Sequence, residues 1–174
     1  ALDLKLAANL ARHASKSGDA LLAARSLVLA SKLCLRFYAN DDAFKQAEKG
    51  LSFVQELSGA DHISLMLELK EVQLMAAPVQ NWEAASSDFI SLAERALDHG
   101  DLESARTGYQ MASHIRWTHG QWSDAKKSIM QAERVTRGGS EEIHIIGMAE
   151  AARCLLMLEK DLPEADAMLM EASA

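Results

Sequence analysis

Asn81-Trp-Glu-Ala-Ala-Ser-Ser-Asp-Phe89 returns forty residues later as Gln121-Trp-Ser-Asp-Ala-Lys-Lys-Ser-Ile129, and forty later again as Asp161-Leu-Pro-Glu-Ala-Asp-Ala-Met-Leu169. Three positions keep their character through the series: Trp82, Trp122 and Leu162; Ala85, Ala125 and Ala165; Phe89, Ile129 and Leu169. Spacings of three and four place these residues on one stripe of a helix. The large residue opens the stripe, the alanine lets a neighbouring helix approach, and the next large residue fills the gap above it. Three such triplets in register predict a repeat of two helices in forty residues. A helix striped in this way must be covered on more than one side, so the units are expected to stack.

Working outward, the turns keep the same beat. Gly18-Asp19, Asn40-Asp41, Gly59-Ala60-Asp61, Gln80-Asn81, Gly100-Asp101, Gly120-Gln121, Gly138-Gly139 and Lys160-Asp161 recur about every 20 residues. Glycine ends a helix at little cost in the left-handed conformation, and Asp, Asn or Ser then caps the next one. The segments between them predict helices over roughly 2–17, 19–38, 41–57, 61–77, 81–98, 101–118, 121–136, 140–159 and 161–173. Helix-favouring residues dominate and aromatics are only 5%, which points to an all-α class. The expected fold is a right-handed α-α superhelix of about nine antiparallel helices, filling residues 1–174 as a single domain. The chain opens on Ala1 inside a helical pattern and closes as abruptly, so it is expected to be a fragment of a longer protein.

The charge balance narrows the partners. Nucleic-acid binding draws on phosphate neutralisation, and a formal net charge of −7 argues against it for this segment. No apolar run approaches the roughly 20 residues a bilayer span needs, and no signal peptide is expected. Cys34 and Cys154 stand 120 residues apart with no paired spacing; they are expected to be buried thiols in a reducing, cytoplasmic setting.

Gly120-Gln-Trp122-Ser-Asp-Ala125, with Ile129 and Ala132 beyond it, resembles the second helix of a tetratricopeptide repeat. Gly18-Asp-Ala-Leu-Leu-Ala23 with Leu27 and Ala30 resembles it too, as does Asn81-Trp82-Glu-Ala-Ala85 with Phe89 and Leu92. The unit departs from the family in being longer than its roughly 34 residues, in lacking the terminal proline, and in a weak first-helix aromatic pattern. Elongated units of this kind are similar to the sensor arms of bacterial signal-transduction ATPases and transcriptional regulators, an affinity most visible over residues 30–51. The resemblance implies that the first helix of each pair, 19–38, 61–77, 101–118 and 140–159, lines a concave surface. Projecting its inward-facing positions gives Arg25, Lys32, Arg36, Lys70, Gln110, His114 and Trp117 as the candidate binding residues. The cations among them would suit an acidic peptide or small anion through bidentate arginine contacts.

Catalytic chemistry finds no footing. Gly138-Gly139-Ser140 lacks the spacing and the lysine of a phosphate-binding loop and reads as a turn with Ser140 as a cap. His114 and His119, five apart, face away from one another on a helix, so no metal is expected. Glu141, Glu142, Glu150, Glu159 and Asp161 are explained by helix dipoles rather than acid–base work. Trp82 and Trp122 are expected in the core, where truncation to alanine would cost about 3–5 kcal/mol. Trp117 either packs on the following turn or anchors a ligand. The chain therefore reads as a non-catalytic protein-interaction or ligand-sensing module of a larger regulator, with no cofactor and a protein or peptide partner, its apolar end faces leaving a homodimer open to it. The alternatives are a helical enzyme with a pocket between helix pairs and a structural spacer.

Overall fold

The computed structural model describes residues 4–159 and 161–173. Among these residues the chain forms nine α-helices and no strand: α1 (Leu4–Ala14), α2 (Ala20–Arg36), α3 (Asn40–Val54), α4 (Gly59–Ala76), α5 (Trp82–Asp98), α6 (Leu102–Thr118), α7 (Trp122–Thr136), α8 (Glu141–Met157) and α9 (Leu162–Ala172). Short polar side chains start several of them. Asp19 accepts from the Leu22 N–H, Asn81 from Ala84, Asp101 from Ser104 and Ser140 from Ile143. The turn between α6 and α7 depends on Gly120 at φ 73°, which lets Gln121 N–H reach back to the Arg116 carbonyl at 2.8 Å.

The chain divides into two compact units, residues 1–80 and 81–174. In the first, successive helices pack on one another and α2 also touches α4. Its core joins Ala7 and Ala11 of α1 to Leu27, Ala30 and Leu33 of α2, and Ala24 and Val28 of α2 to Ala43, Ala47 and Val54 of α3 and Leu65, Leu69 and Val72 of α4. In the second unit α5 to α9 again pack in succession and α6 also touches α8. Ala93, Tyr109, Ile129, Ala132, Met148, Ala151, Leu155 and Ala165 form its core.

The forty-residue register is a packing register. Phe89 and Ile129, Leu92 and Ala132, Ala93 and Glu133, and Ala96 and Thr136 are all buried, each pair forty apart. On the helices between, Gly108 and Met148, Met111 and Ala151, Ala112 and Ala152, and Ile115 and Leu155 repeat the pattern. Where α5 meets α6 the approach is tight: a Cβ on Gly108 would stand 2.8 Å from both the Ala93 Cβ and the Phe89 carbonyl oxygen. Glu133, the one charged residue among these pairs, is buried and holds the exposed Arg137 guanidinium in two bonds of 2.8 and 3.0 Å.

Within each unit the extra contacts join even-numbered helices, α2 to α4 and α6 to α8. Two expectations need correction. Trp122 is 59% exposed rather than in the core, and Trp82 is half-buried. Both rings open their helices, and side chains tilt toward a helix N-terminus, so each meets the turns rather than the packed stripe. Leu169 is 38% exposed where Phe89 and Ile129 are at 4% and 3%, because among the described residues no helix packs across α9 as α6 packs on α5 and α8 on α7. Among the described residues no helix is long and apolar enough to cross a membrane.

Candidate functional site

In the first unit Arg25, Lys32 and Arg36 lie seven and four residues apart on one exposed stripe of α2, with the exposed Leu22 and Leu29 between and above them. Two of the three cations are already matched. Arg25 donates to Asp61 at 3.0 Å and Lys32 to Glu68 at 2.5 Å, both pairs bridging α2 to α4. Lys70 of α4 is half-buried. The basic strip is thus largely a neutralised seam between two helices, with Arg36 exposed at its end.

The second unit presents a different face. Arg106, Gln110, His114 and Trp117 follow one another at helical spacing along α6, and Glu150, Arg153 and Met157 along α8. Arg106 spans the two helices with a 2.6 Å bond to Glu150, and the pair is mostly buried, with 11% and 20% of the side chains exposed. The His114 ring lies 6.3 Å from that of Trp117. Burial, and then the positive charge of Arg153, hold its pKa below the ordinary histidine value, so His114 is neutral near pH 7. Ser113, one residue back, bonds the Ala125 carbonyl and ties α6 to α7. Its hydroxyl also sits 3.8 Å from the Cys154 thiol, whose pKa burial raises. Cys34 is raised by burial and by Asp42. Neither cysteine is a ready nucleophile.

At its lower end this face opens into a cleft of about 580 Å³ lined by Trp117, Thr118, Trp122, Met157, Leu158 and Glu159. Among the described residues of this unit, Lys126 pairs with Asp161 and Glu164, Lys127 with Asp124, and Arg116 bonds Ser128. The charge is unevenly shared between the units. Residues 1–80 carry nine Asp and Glu against nine Lys and Arg, whereas residues 81–174 carry 16 against 9. The whole net charge of −7 therefore belongs to the second unit.

The structure brings Gln110, His114 and Trp117 onto one face and Arg25, Lys32 and Arg36 onto another. Sequence reasoning missed Arg106, Glu150, Arg153, Trp122, Met157 and Glu159 as neighbours of the first group. The forty-residue step from Trp117 to Met157 carried a usable signal; the Arg106–Glu150 pair, 44 apart, did not. Among the described residues no three His, Cys, Asp or Glu side chains gather as a metal-ligand set.

No protein-family model matches the chain, and no characterised protein matches it by sequence. By fold it is similar to BtubC (BKLC) from P. vanneervenii, with a TM-score of 0.69 and 14% identity over 97% of this chain and 70% of that one. It is equally similar to a Signal Transduction ATPase with Numerous Domains (STAND) protein with a tetratricopeptide repeat sensor from Pyrococcus horikoshii, with a TM-score of 0.70 and 14% identity over 97% of this chain. The match spans only 26% of that protein's length. These likenesses, with the internal register, establish an all-α helical-repeat fold of tetratricopeptide type.

Proposed function

We propose that the chain is a non-catalytic protein-interaction or ligand-sensing module of a larger regulatory protein, with its working surface on the exposed faces of α6 and α8. The observation that carries this reading is the continuous stripe from Gln110 through His114 and Trp117 to Met157, which ends in an open cleft with an exposed indole. Trp122 and Met157, 59% and 52% exposed, contribute little to stability where they stand and are free to contribute to recognition. The similarity to a protein with a tetratricopeptide repeat sensor supports the same reading at the level of fold. The partner is a protein or peptide segment. Acidic partners fit less well than the α2 cations suggest, since Asp61 and Glu68 already neutralise Arg25 and Lys32. Cytoplasmic residence belongs to the reading too, supported by two free thiols.

Selection of a displayed peptide library on the 174-residue chain tests it. Selected peptides are expected to lose binding to a Trp117→Ala, Met157→Ala double variant that keeps its helical circular dichroism. Peptides that bind the double variant as well as the parent would remove this face from consideration.

A further inference from the structure

The repeat contains its own template for what the cleft accepts. In one unit of the register the His119 imidazole lies over the Trp82 indole, with ring centroids 5.7 Å apart and planes 22° from parallel. Forty residues on, Trp82 becomes Trp122, and Trp117-Thr118-His119 becomes Met157-Leu158-Glu159. These successors line the cleft together with Trp117 and Thr118. At the register position of the flat ring that covers the first indole stands Glu159, which lines the same cleft as the second indole, and that indole is left 59% exposed. Glu159 holds its backbone at φ 51°, in the left-handed region that a glycine would occupy at less cost. A non-glycine residue kept there is a local strain of the kind that accumulates at binding sites.

We propose that the Trp122 cleft receives an arginine side chain from a partner protein, its guanidinium stacked on the indole and paired with Glu159. This rests on reading the α6–α8 face as an interaction surface and names the group that surface recognises. Three features favour a guanidinium. It is planar, as is the ring that fills the equivalent place over Trp82, and it stacks on indole faces as a cation. It presents a fork of donors to a carboxylate, which a flat apolar ring cannot do. Its methylene stem suits the Met157 and Leu158 walls, since long cationic side chains lay their carbons on apolar surface. Electrostatics agree: the unit carries the chain's entire negative excess, and its Lys126, Lys127 and Arg116 are held by other partners.

The indole N–H signals of the three tryptophans report on the cleft in the intact chain. Trp122 is assigned from a Trp122→Phe variant, which should fold because the ring is exposed. Titration with acetyl-arginine-amide is expected to move the Trp122 signal saturably and leave Trp82 in place. Acetyl-lysine-amide should bind more weakly, and Glu159→Gln should weaken the arginine response about two- to fivefold, the scale of one exposed ion pair. A Trp122 signal that stays still, that follows acetyl-glutamate-amide or the lysine probe equally well, or that responds unchanged in Glu159→Gln would overturn the assignment. Peptides selected through Trp117 and Met157 that lack arginine would also overturn it while leaving the interaction reading intact.

Discussion

Gly108 is the residue on which the α5–α6 approach turns. Alanine there would gain about 1 kcal/mol of helix propensity but would drive a methyl into the Ala93 Cβ and the Phe89 carbonyl oxygen, neither of which is a flexible chain end. Gly108→Ala is expected to destabilise the protein by about 2 kcal/mol, read as a lower urea midpoint. Gly138→Ala is the control: nothing stands within 4 Å of its Cβ position, and the midpoint should stay put. His114 makes a second prediction, this time on pH. Its folded pKa is depressed by burial and then by Arg153, so the unfolded chain takes up the proton first. Stability is full above the unfolded value of about 6.5 and declines as pH falls through the lower folded value. His114→Gln should flatten that part of the acid limb in denaturation series run from pH 7.5 downward. An acid limb identical to the parent's would show that the imidazole carries no such linkage.

At the scale of elements, the even-numbered helices are joined by ion pairs of unequal weight. Lys32–Glu68, between α2 and α4, is exposed and screened, and Glu68→Ala is expected to cost under about 1 kcal/mol. Arg106–Glu150, between α6 and α8, is mostly buried, and the Arg106 Nε has no hydrogen-bond partner. Removing its carboxylate leaves a cation with little water to turn to, so Glu150→Ala should cost about 3 kcal/mol in thermal unfolding. Equal losses for the two variants would remove the ranking. The contrast also marks what a sequence can reveal. Helix number and ends were legible within a few residues, because Asp19, Asn81, Asp101 and Ser140 cap their helices through local bonds that need no tertiary information. Gln110, His114 and Trp117 were named from the family resemblance, and helical spacing is what sets them on one face of α6. Trp122 was not legible: its ring is 59% exposed at the register position where Trp82 is half-buried and stacked with His119, a difference that lies in the turns rather than within a helix. Neither was the neutralisation of Arg25 and Lys32, since the partner carboxylates come from a helix 36 residues away.

At the scale of the molecule, each unit owns its core. Every buried residue of the Met148–Leu155 cluster comes from α5 to α9, and the clusters around Leu27 and Val28 draw only on α1 to α4. Residues 81–174 expressed alone are therefore expected to give a helical spectrum and a cooperative thermal transition. The charge split adds a sharper expectation. With 16 carboxylates against 9 Lys and Arg, the second unit repels itself at low ionic strength, whereas the first, with nine of each, has no such excess. Screening over a Debye length that shrinks from roughly 10 Å at 0.1 M to roughly 3 Å at 1 M salt should relieve that repulsion. Raising sodium chloride across this range should lift the melting temperature of the 81–174 fragment and leave that of 1–80 unchanged or slightly lower, as the exposed α2–α4 ion pairs weaken. The same salt should weaken the arginine probe at Trp122, because the field that draws the cation is the field that strains the fold. A fragment that melts without cooperativity would place part of its stability in residues 1–80. Two fragments responding alike to salt would mean that local pairing, rather than the overall excess, governs the electrostatics of the acidic half.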